Sequence, residues 1–333
     1  MVSSARVPVT TLGGTGLTVS RLGLGLAALG RPAYITLGRD VDLGARRDRD
    51  TMEQRCHAML DAAYSVGICY VDVARSYGRA EEFLASWLEA RLVAPDALTV
   101  GSKWGYRYTG GWDMAATVHE TKDHSLTMLR DQLPQTTALL GPHLDLYQVH
   151  SATLESGVLD DQGVLHALAE LHHSGVAVGL SVSGPRQADV VRHALDIGGE
   201  GVNPFTTVQA TWNVLEPSVG VALEEARARG WGVLVKEAVA NGRLTDRGDE
   251  GPGSVLKDVA ARHGASVDQV AVAAALGQPW ADVVLSGAVT PAQLESNLGA
   301  LDLSLTERDW DQLGSVIEDP RAYWDARAAL PWH

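Results

Sequence analysis

Three apolar runs in this chain end in ionisable residues. Asp72 closes "ICYVD" (68–72), Lys103 closes "LTVGSK" (98–103) and His150 closes "LDLYQVH" (144–150). Tyr77 follows on the turn "ARSYG" (74–78). A charge at the end of a buried run needs a partner, because an isolated buried ion costs far more than it returns. Taken together, the four residues point to proton transfer. A phenol with an ordinary pKa of about 10 is a poor acid at neutral pH. A neighbouring ammonium stabilises its anion and lowers that value. Asp72 would offset the burial of Lys103, Lys103 would tune Tyr77, and His150 would donate a hydrogen bond that orients a substrate oxygen.

These residues need a frame that brings strand ends together. Eight short apolar runs read as strands buried on both faces: 21–26, 68–72, 98–103, 144–150, 176–183, 205–210, 231–237 and 282–287. Amphipathic stretches read as helices at 51–66, 79–91, 115–132, 160–174, 185–197, 217–229, 253–276 and 290–300. In the last of these, Thr290 is placed to cap and Pro291 to occupy the first turn. Eight β-then-α units without a linker predict an α/β fold, a (β/α)8 TIM barrel formed by one domain over 1–333. A doubly wound sheet is the alternative. Residues 10–20, "TTLGGTGLTVS", predict a Gly-turned N-terminal β-hairpin that could plug the barrel bottom. The segments 27–50, 104–114 and 319–333 read as long loops, the first over the mouth and the last an extended C-terminal loop whose aromatics must pack on something. In such a barrel, strands two, three and four deliver Asp72, Lys103 and His150 to one rim.

The bulk properties exclude several roles. A formal net charge of −14 argues against a broad nucleic-acid or anionic-membrane surface. Cys56 and Cys69 read as reduced thiols. The N-terminus lacks the apolar core of a signal peptide and no run reaches membrane-spanning length, so a soluble cytoplasmic protein is expected. "GLGLAALG" (23–30) departs from the dinucleotide glycine spacing. The histidines of "HETKDH" (119–124) do not share a helix face, and no metal is expected.

The ordered Asp72, Tyr77, Lys103 and His150 on this strand pattern resemble the aldo-keto reductase superfamily. The resemblance runs from "TLGGTGLTVSRLGLGL" to "QLESNLGAL", and its most specific pieces are "DVARSYG", "SKWG", "LDLYQVH" and "VQATWN". It implies reversible, nicotinamide-dependent reduction of an aldehyde or ketone on a (β/α)8 barrel. Tyr77 would be the general acid, tuned by Lys103 and Asp72, with His150 orienting the carbonyl. Ser181 and Gln209 match residues that hold the nicotinamide carboxamide, Asn297 a residue at the adenine end, and Gly287 and Thr290 lie on the loop that wraps the adenosine phosphates.

There are departures from the family pattern. Ser181 is followed by Val182 where the family commonly has Asn, and Ser183 is the available substitute. Lys236 stands where an aromatic usually covers the nicotinamide. Its stem could cover the ring while its charge disfavours the oxidised form; alternatively, Lys236 and Glu237 pair with other mouth residues. No basic residue lies between Leu285 and Asn297, so a 2′-phosphate would lack the usual cation there, with Arg243 as the compensating candidate. On that balance NADP(H) is narrowly favoured, and NAD(H) is the alternative. Trp104, Trp112 and Trp212 predict a mouth suited to an aromatic aldehyde or the flat face of a sugar. Two other readings compete: a catalytically weak cofactor-binding regulatory subunit, and a Schiff-base lyase using Lys103 or Lys236. A homo-oligomer is neither indicated nor excluded.

Overall fold

The computed structural model describes residues 7–197, 203–248 and 250–332. Its strands are β1 (Val9–Thr11), β2 (Thr18–Ser20), β3 (Leu22–Gly25), β4 (Tyr70–Asp72), β5 (Thr99–Trp104), β6 (Tyr106–Tyr108), β7 (Glu120–Lys122), β8 (Leu144–Ala152), β9 (Ala177–Val182), β10 (Thr207–Thr211), β11 (Gly232–Lys236) and β12 (Val283–Ser286). Eight of these close a barrel in the order β3-β4-β5-β8-β9-β10-β11-β12, with neighbouring strands parallel. They are the eight runs read from the sequence. Their Val- and Leu-rich character follows from burial against both the barrel interior and the surrounding helices.

β1 and β2 pair antiparallel and form the expected hairpin. Leu12 and Val19 reach an interior cluster with Tyr70, Leu146, Leu234 and Val283, so the hairpin plugs the barrel. The Gly14 amide ties it to the Gly230 carbonyl at 2.7 Å.

Three expected elements differ. Residues 115–132 do not form one helix: β6 and β7 pair as an antiparallel hairpin, and the helix begins only at Leu126 and runs to Leu140. Ser125 caps it, accepting from the Met128 amide at 3.2 Å. The expected 253–276 helix is two, Glu250–His263 and Val267–Leu276, broken at Gly264 (φ 61°) and restarted by a Ser266–Gln269 capping box. The expected C-terminal loop contains a helix, Pro320–Ala328, capped by Asp319 and opened by proline. The end of that tail, His333, and residues 1–6 of the stretch read for a signal peptide lie outside the described residues. Among the described residues no helix is long and apolar enough to cross a membrane, and no group of three or more His, Cys, Asp or Glu is placed to hold a metal ion.

Candidate active site

Asp72, Lys103 and His150 sit at or near the C-terminal ends of β4, β5 and β8, strands adjacent in the barrel, and all three are buried. The Lys103 ammonium pairs with Asp72 Oδ1, donates to the Val73 carbonyl at 3.1 Å and donates to the Tyr77 hydroxyl at 3.3 Å. Asp72 Oδ2 also accepts from Gln209 Nε2 at 2.8 Å and from the Tyr70 hydroxyl at 3.3 Å. The carboxylate is thus anchored from three strands, as a buried ion requires.

Tyr77 is delivered by a close approach of two loops. A Cβ at Gly30 would overlap the Tyr77 carbonyl oxygen, and one at Gly78 (φ +63°) would overlap the Gly30 carbonyl. The Arg79 amide closes this contact by donating to Gly30 O at 2.7 Å. The glycine stretch that fails as a dinucleotide motif therefore seats the phenol.

His150 is aimed by an irregularity. The β8–β9 register shifts between Val149 and Ala152, and Ser151 adopts φ 51°. The Ser151 amide donates to Ser181 Oγ at 2.7 Å, while the His124 ring Nε2 holds the His150 carbonyl at 2.8 Å. The His150 Nδ1 lies 3.3 Å from Ser76 Oγ, and its ring packs on Tyr77 and Tyr106 at 5.4 and 4.9 Å.

The electrostatics correct one expectation. Loss of solvent, reinforced by the Asp72 charge, pushes the Tyr77 phenol well above its ordinary value. The acidifying effect expected of Lys103 is outweighed, so Tyr77 rests protonated. Burial lowers Lys103 despite Asp72. Burial and then the Lys103, Arg31 and Lys236 charges push His150 well down, which keeps it neutral.

A cavity of about 500 Å³ runs from Tyr77, His150, Ser181 and Gln209, past Lys236 and Asn241, to Gly287, Gln293 and Asn297. Gly287 is exposed, and among the described residues no atom lies near the position of its absent Cβ. Asn297 is held by Ser286 at 2.7 Å and Asp268 at 3.2 Å. Thr290 spends its hydroxyl on the Gln293 amide as the expected helix cap and is not in the lining. Lys236 donates to Thr211 Oγ1 at 2.7 Å, and Glu237 accepts from Arg327 Nε at 2.9 Å, so both pair within the mouth and both line the cavity.

Four expected contacts lie elsewhere. Arg243 pairs with Glu318 and covers Tyr323, outside the lining. Trp104 is buried against His124, Trp112 donates to the Arg47 carbonyl at 2.8 Å, and Trp212 packs on Trp280. None of the three tryptophans lines the cavity. The wall beside Tyr77 consists instead of Arg31, Tyr34, Glu120, Arg327 and Trp332, which sequence spacing did not single out. Arg31 and Tyr34 lie on the 27–50 segment read as covering the mouth, Arg327 and Trp332 on the aromatic tail, and Glu120 carried no sequence signal.

A sequence model for "Aldo/keto reductase family" matches residues 21–318. The chain belongs to the aldo/keto reductase family. As an aldo/keto reductase it is a nicotinamide-dependent oxidoreductase of carbonyl substrates. Protein tas of Escherichia coli is 27% identical over 87% of this chain and 92% of its own. L-galactose dehydrogenase of Arabidopsis thaliana is 26% identical over 94% and 95%. Pyridoxal 4-dehydrogenase of Microbacterium luteolum is 25% identical over 91% and 96%. A holo aldo-keto reductase structure from Bacillus halodurans shares the fold, with TM-score 0.70 at 20% identity over 94% of this chain and 97% of its own.

The aldo/keto reductase cavity fits the dinucleotide that its family uses. It is long, lies at the C-terminal rim, and offers an orphaned acceptor: the buried Asn241 Oδ1 has no hydrogen-bond partner among the described residues. Ser181 and the Gln209 carbonyl would hold one end, and Gln293, Ser296 and Asn297 the other.

Proposed function

We propose that this chain reversibly reduces an aldehyde or ketone to the alcohol with Tyr77 as general acid. One observation carries the reading: the Lys103 ammonium bridges the Asp72 carboxylate and the Tyr77 hydroxyl at the inner end of the cavity. Tyr77 rests protonated, so it can donate to a carbonyl oxygen as negative charge develops there. The adjacent ammonium stabilises the resulting phenolate. Neutral His150, with Nδ1 engaged by Ser76, donates from Nε2 to the same oxygen and aligns the carbonyl. When bound, the nicotinamide supplies the hydride that the carbonyl carbon gains, or accepts it in the reverse direction. In alcohol oxidation, the Tyr77 phenolate takes the hydroxyl proton. The two dehydrogenases among the relatives named above support the oxidative direction as well.

For the cofactor, the cavity favours NAD(H) over the NADP(H) expectation. The cation offered for a 2′-phosphate, Arg243, is engaged by Glu318. The far end of the cavity instead presents the Asp42 and Asp268 carboxylates, and Arg247 there is paired with Asp42. The Asp268 carboxylate there can accept from a ribose hydroxyl and repels a phosphate, whereas the Asp42 charge is offset by Arg247.

The test is cofactor-coupled turnover of simple aldehydes by wild type and Tyr77→Phe. The variant loses roughly 10²- to 10⁴-fold in kcat while its cofactor Kd stays put. A Tyr77→Phe enzyme at the wild-type rate overturns the assignment. Tight cofactor binding with no turnover by wild type would favour the regulatory-subunit alternative.

A further inference from the structure

The segment that carries His150 leaves the sheet where the imidazole must be aimed. Pairing of β8 with β5 ends at Val149, and pairing with β9 passes from Val149 to Ala152. Among the described residues, His150 and Ser151 thus have no register partner in either neighbouring strand. Side chains pin the peptide between them instead. Its N–H donates to Ser181 Oγ at 2.7 Å, and its carbonyl accepts from His124 Nε2 at 2.8 Å. A peptide that leads into the left-handed Ser151 (φ 51°) keeps its place only where its surroundings hold it.

His124 is the second histidine of "HETKDH" and lies between β7 and the Leu126–Leu140 helix. Its buried ring has a built seat. A Cβ at Gly105 (φ +103°) would overlap it. Gly105 is itself fixed: its amide donates to Gln132 Oε1 at 2.9 Å and its carbonyl accepts from the Asp123 amide at 2.9 Å. Trp104 and Tyr106 meet the ring edge-on at 5.8 and 6.1 Å, and Tyr106 in turn packs on the His150 imidazole at 4.9 Å. A carbonyl only accepts, so Nε2 carries the His124 proton, and Nδ1, unpartnered among the described residues, carries none. Burial pushes this imidazole down to about 4, which keeps it neutral. His124 does not line the cavity, so it acts only through its neighbours. We infer, resting on the reading above, that His124 is a positioning residue: with Ser181 it clamps the 150–151 peptide, and the clamp sets the direction in which His150 presents Nε2 to the carbonyl oxygen. Without the His124 donor one of the two tethers is gone, the peptide can rotate, and the imidazole swings off the oxygen it must bond.

The experiment compares three variants in the reduction of a simple aldehyde. His124→Phe keeps a flat ring and removes the donor, His124→Asn carries an amide too short to reach, and His124→Gln places an amide donor near the position of Nε2. The Phe and Asn variants should lose roughly ten- to a hundredfold in kcat, for one hydrogen bond and a misaimed imidazole, with cofactor Kd near wild type. His124→Gln should recover most of that loss, which a role in packing alone would not give. In a His150→Ala background, His124→Phe should cost almost nothing more, because no imidazole remains to be aimed. Nitrogen-15 NMR of the wild type should find the His124 proton on Nε2 at neutral pH. A proton on Nδ1, wild-type kcat in the Asn or Phe variant, or a Gln variant as slow as the Asn variant overturns the inference. The proposed reaction stands through any of these if Tyr77→Phe is slow, and it falls by itself if Tyr77→Phe keeps the wild-type rate.

Discussion

Ser76 Oγ and His150 Nδ1 lie 3.3 Å apart, with Ser76 fully buried one residue before Tyr77, the proposed general acid. A donating hydroxyl leaves the imidazole proton on Nε2, the tautomer that hydrogen-bonds a substrate oxygen. Ser76→Ala is expected to lower kcat about tenfold, the worth of one lost hydrogen bond, with cofactor Kd unchanged. In a His150→Gln background the same change should have almost no further effect, because the two act as one unit. Independent, multiplicative losses would show that Ser76 merely packs.

Cofactor choice can be measured without turnover. Calorimetric titration should give a lower Kd for NAD+ than for NADP+. Val289 lines the cavity on the loop that lacks a cation. Val289→Arg is expected to tighten NADP+ by roughly ten- to a hundredfold, the range for a charge-assisted contact. Tighter wild-type binding of NADP+ would refute the assignment.

Lys236 supplies a pH signature. Burial pulls its ammonium down to about 8, with Glu237 resisting. Below that pH it carries a positive charge that opposes a cationic nicotinamide; above it the charge is gone. NAD+ affinity should therefore rise with pH between roughly 7 and 9 and NADH affinity should change less. Lys236→Met should flatten the NAD+ profile. A slope that survives this substitution would assign the titration to another group.

The Glu237–Arg327 pair fastens the tail helix to the rim, and Glu237 itself adopts φ 59°. Burial works against the Glu237 charge, yet Arg327 and Lys236 overcome it and hold the carboxyl down at about 2. Its stabilising contribution is therefore full above the ordinary glutamate value of about 4.3 and is lost as pH falls from there towards 2. Arg327→Ala leaves that carboxylate buried without its main partner and should cost about 3 kcal/mol in chemical denaturation at neutral pH. The acid limb should then move to higher pH. A variant with the wild-type midpoint and acid limb would mean that the pair contributes nothing net.

The elements that were legible in the sequence are those with local causes. Each barrel strand is an apolar run bounded by turn residues; Asp72, Lys103 and His150 are marked by their place at or near the ends of such runs, and Tyr77 by the turn that follows one. Thr290 and Pro291 announce their helix start in the same local way. The β6–β7 hairpin was not legible, because two paired segments of three residues carry too little alternation to compete with the helical composition of 115–132. The tail helix is marked only by Asp319-Pro320, a start signal in a stretch whose composition otherwise reads as loop.

The sequence alone determined the barrel, its plug and the order in which Asp72, Tyr77, Lys103 and His150 arrive at the rim, because these follow from periodicity and strand-end position. Only the tertiary structure decided what surrounds them. Arg31 meets Glu120, Glu237 meets Arg327 and Arg243 meets Glu318 across 75 to 90 residues of chain. No spacing rule connects such partners; burial and charge select them once the chain has closed. The same closure raised the Tyr77 phenol rather than lowering it, because desolvation depends on everything packed nearby and not on one neighbouring ammonium.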